Sequence, residues 1–514
     1  MSKNKFFILL FIHIVLSGSL YCKKGPAVLD YSLLKCYVDY FNRMEDENVV
    51  QTIPNEKAYE WLKNNVPLFA CPQDNFQEIY YYRWWTFRKH LQQTPQGYVI
   101  TEFLVPRSYA DKYNLISCAT GHHIFEGRWL HNSTYLYDYL KIWFRGNNGK
   151  PMTKLRKFSS WISYAVYNWY LVNGDINIIR EFFDDLVNDY LEWEKIRRHS
   201  NGLFWQYDVQ DGMEESISGG RKVKNYRPTI NSYMYGNAIA LYEMGKILGK
   251  DSISEIFKRK ADTMKFLIQT KLWNIHHSFF ETLTEGDTFA NVREAIGYIP
   301  WYFNLPDSGY EKAWNEILNE EGFLSPFGLT TAERRHPLFR SHGCCKCEWD
   351  GAIWPFATSQ TLTALINLLN NYKQNYVNDS VFFRHLELYV ESQYYRGRPY
   401  IGEYLDEKTG YWLKGDQERS RYYNHSTFCD LIISGLVGLI PRNDNILEIN
   451  PLIPLSKWDW FCLDNLLYHN NIITVIWDKS GKKFKKGKGF TILVNGKKIA
   501  NLPELTKVTI KLKK

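Results

Sequence analysis

The residue types able to do chemistry gather on loops between apolar runs. Glu403-Tyr404-Leu405-Asp406-Glu407-Lys408-Thr409-Gly410 sets a carboxylate just ahead of a Thr-Gly turn, and Asn424-His425-Ser426-Thr427 precedes an apolar run that opens at Phe428. A glutamate on a loop leading into a helix can be held rigidly at the mouth of a helical barrel and take a proton from water there. A second carboxyl cluster, Asp211-Gly212-Met213-Glu214-Glu215, lies far upstream. Two carboxyls from distant loops in aromatic surroundings are the equipment of glycosidic bond hydrolysis. A desolvating pocket would keep one protonated as the acid while the other stays ionised as the base.

Two further segments break helical patterning with polar and aromatic groups: Gly121-His122-His123-Ile124-Phe125-Glu126-Gly127-Arg128-Trp129, and Glu348-Trp349-Asp350-Gly351-Ala352-Ile353-Trp354-Pro355. Arg227 and Asn231 follow the second carboxyl cluster. Each has a plainer reading. Glu214 and Glu215 could simply favour a helix start. Arg128 and Arg227 could be buried ion-pair partners, His122 and His123 hydrogen-bonded core histidines, and Trp354-Pro355 merely a helix opening. Their joint occurrence and order carry the functional reading.

Composition agrees with that chemistry. Aromatics form 17% of the 514 residues, with 18 Trp and 37 Tyr, which suits both a large helical core and a cleft whose flat faces stack on sugar rings. The net charge of +8 is concentrated in the runs 479–488 and 507–514, where lysines are not interleaved with aromatics. This argues for a solvated face or protected sheet edge and against nucleic acid. An acidic glycan stays open.

Residues 1–21 predict a signal peptide. Lys3 and Lys5 form the basic start, Phe6 to Leu16 an apolar run broken by His13, and Ser17-Gly18-Ser19 the small residues before cleavage. The expected location is therefore secreted or periplasmic, with no membrane span. Cys22 admits a lipid anchor of the outer-membrane lipoprotein kind, although Tyr21 stands where a small residue is usual. Nine cysteines do not make a disulfide scaffold at this length. Cys344, Cys345 and Cys347, beside His342 and Glu348, fit zinc loosely. Only Cys344 and Cys347 have the usual two-residue spacer and no second pair follows, so buried thiols or a local disulfide are favoured. No metal or cofactor is expected.

Three regions follow the leader. Residues 24–110 have mixed patterning around the knot Tyr80-Tyr81-Tyr82-Arg83-Trp84-Trp85 and should pack on a barrel. Residues 111–440 are dominated by helical stripes, as in Phe158, Trp161, Ile162, Ala165, Val166, Trp169 and Tyr170, with others near 176–195, 231–249, 253–273, 287–303, 310–320, 355–372, 381–396 and 428–440. After Pro441 the period changes, and residues 441–514 read as short strands with Asn, Gly and Lys turns, including Asn495-Gly496. The expected fold is mainly α, an (α/α)6 toroid with a small C-terminal antiparallel β-sandwich.

The four loop segments resemble the helical-toroid clan of six-hairpin glycosidases that includes trehalases, processing α-glucosidases and mannosylglycerate hydrolases. Trp349 to Pro355 looks like the clan's Trp-Arg-Gly-Pro-Ile-Trp-Pro loop, with Asp350 and Ala352 where Arg and Pro are usual. The Glu403 segment looks like Glu-(Asn/Tyr)-Tyr-x-Pro-x-Thr-Gly, with Glu407 at the usual Pro, and Asn424-His425-Ser426-Thr427 replaces Phe-Ser-Trp. The carboxyl cluster resembles Ser-Gly-(Met/Trp)-Asp, with Glu214 at the Asp and Asp211 at the Ser. The resemblance implies that Glu403 is the general base. It implies that Glu214, or Asp211 in its place, is the general acid, and that Arg128, Trp129, Arg227, Asn231, Trp349, Asp350, Trp354 and His425 serve substrate binding. It also implies inversion, which needs carboxyls roughly 6.5–9.5 Å apart. Two other readings stay open: a non-catalytic glycan-binding protein on this scaffold, and an arabinofuranosidase-like hydrolase using zinc and a cysteine of the 344–347 cluster.

Overall fold

The computed structural model describes residues 25–44, 46–49, 51–343 and 346–512. The predicted signal peptide, Cys22, Cys344 and Cys345 lie outside the described residues. The chain is mostly helical, with antiparallel sheet at its C-terminal end.

The long helices begin and end where local chemistry allows. Pro228–Ile247 and Pro355–Asn371 each start on a proline, whose missing N–H costs nothing in the first turn. Asp175 caps Ile176–Arg197 by accepting from Asn177 N at 2.9 Å. The preceding helix, Ile162–Asn173, stops at Gly174 in the left-handed region, φ 78°. Helices pair with their chain neighbours, Pro228–Ile247 against Asp251–Lys271 and Pro355–Asn371 against Asp379–Ser392. A second set of contacts runs from Thr120–Gly127 to Ile162–Asn173, then Pro228–Ile247, Ile299–Tyr302, Pro355–Asn371 and Leu431–Leu436. Glu126 returns to the last of these by accepting the backbone N–H groups of Phe428, Cys429 and Asp430.

Three expected stripes take other forms. Pro300 is tolerated only in a first turn, so 287–303 becomes a 3₁₀ turn, Ala295–Tyr298, followed by the short helix Ile299–Tyr302. Residues Glu311–Leu318 are 3₁₀, and Leu431–Leu436 is a π-helix. The aromatic knot lies on the helix Asp74–Lys89, which is buried nearly all round, consistent with its lack of a polar face.

The C-terminal strands form two sheets. The larger runs Leu68–Ala70, Trp460–Tyr468, Asn471–Asp478, Gly489–Val494, Lys497–Leu502, all antiparallel, and so takes its first strand from the N-terminal region. The smaller joins Leu439–Ile440, Ile446–Ile449 and Val508–Lys511. Asn495 and Gly496 have φ of 51° and 76°, the paired positive values of a type I′ hairpin, as Asn-Gly predicts. Tyr468 links the sheets, its hydroxyl donating to Ile446 O at 3.2 Å. Asp464 holds the segment ahead of the first described helix, accepting from the backbone N–H groups of Ala27, Val28 and Leu29 at 2.7–3.2 Å. Among the described residues no helix is long and apolar enough to cross a membrane.

Candidate active site

Loops at the ends of these helices enclose a cavity of about 380 Å³, within the roughly 300–1,000 Å³ usual for small-molecule sites. Three carboxyls line it: Glu102, Glu214 and Glu403. Trp354, Phe356, Phe158, Tyr109 and Tyr423 supply flat walls, and His425, Cys347, Arg419 and Lys157 the other polar groups.

Glu403 is buried and faces cations. Lys414 Nζ stands 3.1 Å from its Oε2 and Arg419 3.8 Å away, so two cations face a carboxyl otherwise walled by aromatics. Its loop is fixed on both sides. Asp406 accepts from Lys408 N, Thr409 N and Thr409 Oγ1, and Gly410 takes φ 68° to close the turn. Ile353 and Leu405 exchange backbone hydrogen bonds at 3.0 Å, tying this loop to the Trp349–Pro355 segment. Trp354 stacks between Trp349 and Tyr404, with ring centroids 4.5 and 4.6 Å away. Glu407, at the position where the clan has proline, pairs with Arg340 Nε at 3.1 Å, and Arg340 also pairs with Glu348.

Glu214 follows the short helix Asp208–Asp211 through Gly212, φ 76°. Its carbonyl accepts from Trp349 N at 3.4 Å, so the loops bearing Glu214 and Trp349 are joined. Burial pushes the Glu214 carboxyl up to about 7, and the neighbouring charge of Glu403 adds to this. It can therefore hold a proton where an ordinary glutamate would have lost it. Glu215 points elsewhere, pairing with Arg221.

The structure brings four of the expected residues, Glu214, Glu403, Trp354 and His425, into the cavity wall, with Trp349 stacked directly behind Trp354. The others lie outside that wall. Asp211 is fully buried, accepting from Arg227 Nε at 2.7 Å, Ser159 Oγ at 2.6 Å and Thr229 Oγ1. Its place under the loop comes from that ion pair with Arg227. Arg128 and Trp129 both donate to Asp430 Oδ1, each at 2.7 Å, and fasten the end of Thr120–Gly127 to the π-helical segment. Asn231 brackets Phe204, donating to its carbonyl and accepting from its N–H. Asp350 accepts from His342 N at 3.0 Å. Each is held by protein partners in the scaffold that carries the loops.

His425 is buried against Tyr423, Trp354 and Phe356. Burial, reinforced by the Arg83 charge, holds its imidazole well below the usual histidine range, so it is neutral. His123 donates through Nε2 to Asn424 O and pairs through Nδ1 with the Tyr139 hydroxyl, which positions the His425 segment, and His122 packs edge-on to Trp161 and Phe356.

Cys347 has its Sγ 3.3 Å from Lys414 Nζ and 3.7 Å from Glu403 Oε1. Burial and the two nearby carboxylates push its thiol up to about 12, which leaves it a poor nucleophile. Among the described residues no group of three His, Cys, Asp or Glu side chains could hold a metal ion. Several groups of the site were not anticipated from sequence, among them Glu102 in the cavity wall and Lys414 beside Glu403. Lys414 and Glu102 sit in stretches without a local signal, and only the fold brings them to Glu403 and Glu214.

A mostly helical domain whose loops gather carboxyls and aromatic faces in one cavity defines a glycosidase-type domain. Residues 112–426 match the family described as mannosylglycerate hydrolase MGH1-like glycoside hydrolase domain, and the chain belongs to that family. Residues 441–501 match the C-terminal domain of glycosyl hydrolase family 65. A solved protein named sialidase is 61% identical with a TM-score of 0.93, over 94% of this chain and 45% of that one. The GH63 mannosylglycerate hydrolase of Thermus thermophilus, solved with glucose, shares the fold at 12% identity and a TM-score of 0.54, over 69% of this chain and 99% of that one. An uncharacterized protein of Borreliella burgdorferi is 22% identical over 184 residues, 35% of this chain and 38% of that protein. The chain thus spans less than half of the sialidase-named protein and of the Borreliella protein.

Proposed function

We propose that this protein is an exported glycoside hydrolase, an (α/α)6 toroid with a C-terminal β-sandwich, that cleaves a glycosidic bond of an oligo- or polysaccharide with inversion. The supporting observation is the pairing of Glu214, whose carboxyl is pushed up to about 7, with Glu403, which faces the Lys414 ammonium, in one aromatic-walled cavity. Glu214 gives its proton to the leaving glycosidic oxygen. Glu403 takes a proton from the water that attacks the anomeric carbon from the opposite face. Trp354, backed by Trp349 and Tyr404, offers a stacking face for the sugar, and His425 a neutral hydrogen-bonding edge. The ring of helix contacts that closes through Glu126 supports the toroid. Export rests on the basic and apolar leader, with Cys22 as a candidate lipid anchor.

The test is hydrolysis of aryl glycosides and glycans by wild type, Glu403→Gln and Glu214→Gln, with the product anomer followed by NMR. Release of a sugar in the inverted anomer, with each variant down about a hundredfold or more, is the expected result. Retention of anomeric configuration refutes the water-activating role of Glu403. Undiminished variants refute the assignment of both carboxyls.

A further inference from the structure

Hydrolysis by two carboxyls leaves the third acid of the cavity unexplained. Glu102 lies on the segment after the strand Gly97–Ile100, ahead of the residues that match the glycoside hydrolase family, yet its side chain reaches the same cavity as Glu214 and Glu403. It is only 5% exposed. Its backbone is secured to the opposite loop, since Asn424 N donates to Glu102 O at 3.0 Å and Asn424 Nδ2 to Thr101 O at 3.1 Å. Asn424 also precedes His425. The N-terminal region therefore builds one wall of the cavity where the clan's Phe-Ser-Trp is missing.

We propose that Glu102 is a specificity-determining residue of this cavity, whose carboxyl binds a hydroxyl of a neutral sugar ring held between Glu214 and Glu403. The inference rests on the glycosidase reading above. Geometry carries it: a buried carboxyl in the cavity wall beside the acids Glu214 and Glu403, with its backbone tied to the loop that bears His425. Cys118 Sγ contacts its Oε2 at 3.7 Å, and the Tyr423 hydroxyl donates to the same carboxyl. The ionisable groups around it are the acids Glu214 and Glu403, the thiol Cys118 and the phenols Tyr109, Tyr139 and Tyr423. Each cation of the lining has a partner other than Glu102. Lys157 donates to Tyr109 O at 2.9 Å, and Arg419 stands 3.8 Å from Glu403.

An acid in that company resists ionising. Burial, with the charges of Glu403 and Glu214, pushes Glu102 up to about 8. Protonated, it donates through its O–H and accepts through its carbonyl, which matches a sugar hydroxyl that also does both. A sugar carboxylate at the same place would add an anion to a cluster of acids. The subsite thus selects for an uncharged, hydroxylated ring.

The test uses the full chain and three variants: Glu102→Gln, which keeps a neutral donor and acceptor, Glu102→Leu, which keeps neither, and Glu403→Gln. The first readout is the titration of ¹³C-carboxyl-labelled glutamates, with the Glu102 signal identified by its loss in Glu102→Gln. A signal that stays protonated through pH 7 is expected. One that has titrated by pH 6 overturns the inference whatever the activity. The second readout is kcat and KM on neutral and uronate aryl glycosides at pH 6 and pH 9. Glu102→Gln should stay within about threefold of wild type at pH 6 and lose less than wild type at pH 9. Glu102→Leu should lose at least tenfold in kcat/KM, mainly through KM. If Glu102→Leu matches wild type while Glu403→Gln is inactive, the inference fails and the glycosidase reading stands. If Glu102→Gln is as inactive as Glu403→Gln, Glu102 works as an ionising acid and the inference also fails.

Discussion

Glu214 offers a test that needs no substrate. Its carboxyl moves from an ordinary 4.5 in the unfolded chain to about 7 in the folded one. Below the lower value both states carry the proton. Between the two the folded state keeps a proton that the unfolded state has lost, so stability falls as pH rises. Above about 7 the full cost of a buried charge applies, about 3 kcal/mol at roughly 1.4 kcal/mol per pH unit. Between pH 5.5 and 8.5 about 2 kcal/mol of that cost develops. For a chain of this length an unfolding entropy of roughly 2 cal/mol/K per residue makes 1 kcal/mol worth about 1 °C in Tm. Glu214→Gln cannot ionise. Its Tm should therefore gain about 2 °C on wild type between those two pH values, read by calorimetry or tryptophan fluorescence in matched buffers. Loss of Glu214 also relieves Glu102, which acts in the same direction. A wild-type-to-variant gap that is constant with pH, or that moves the other way, would refute the claim that this cavity holds Glu214 protonated.

Other outcomes follow from the same contacts. Lys414→Met removes the ammonium 3.1 Å from Glu403 and should lower kcat at least tenfold with little change in KM. Breaking this buried pair should also cost about 3–5 kcal/mol in thermal unfolding, with Lys414→Arg recovering part of both. Cys347→Ser should keep turnover within about threefold, because a thiol pushed up to about 12 is not a nucleophile; abolished turnover would instead favour a cysteine mechanism. Asp211→Asn leaves Arg227 buried without its charge partner, so the expected loss is also about 3–5 kcal/mol of stability. A variant as stable as wild type but inactive would return the acid's role to Asp211.

Local chemistry made much of the fold readable, and long-range chemistry hid the rest. The change of period at Pro441, the proline starts of two helices and the Asn495-Gly496 turn are local signals, and the elements follow them. Glu403 stood out as a carboxylate ahead of a Thr-Gly turn, and Glu214 as part of a carboxyl cluster with Asp211 and Glu215. Sequence alone showed that Arg128 and Arg227 could be buried partners, but not of what, since Asp430 and Asp211 meet them only in space. Glu102 and Lys414 carry no local mark. Their significance comes from the loops that Asn424 and the Ile353–Leu405 exchange bring together. The stripe at 287–303 misled because hydrophobic spacing outweighed Pro300, whose ring sets where a helix can start.

The strand Leu68–Ala70 is completed by a partner made almost 400 residues later, Phe69 opposite Leu463. During synthesis this segment waits with a bare hydrogen-bonding edge until almost 400 further residues have been made. Closing so wide a span is slow relative to local helix formation, and an open edge invites pairing with a neighbouring chain. Pairing of Leu68–Ala70 is therefore timed by the arrival of Trp460–Tyr468. A product truncated before residue 460 would lose more than its own sheet: it would leave Leu68–Ala70 unpaired and prone to aggregate.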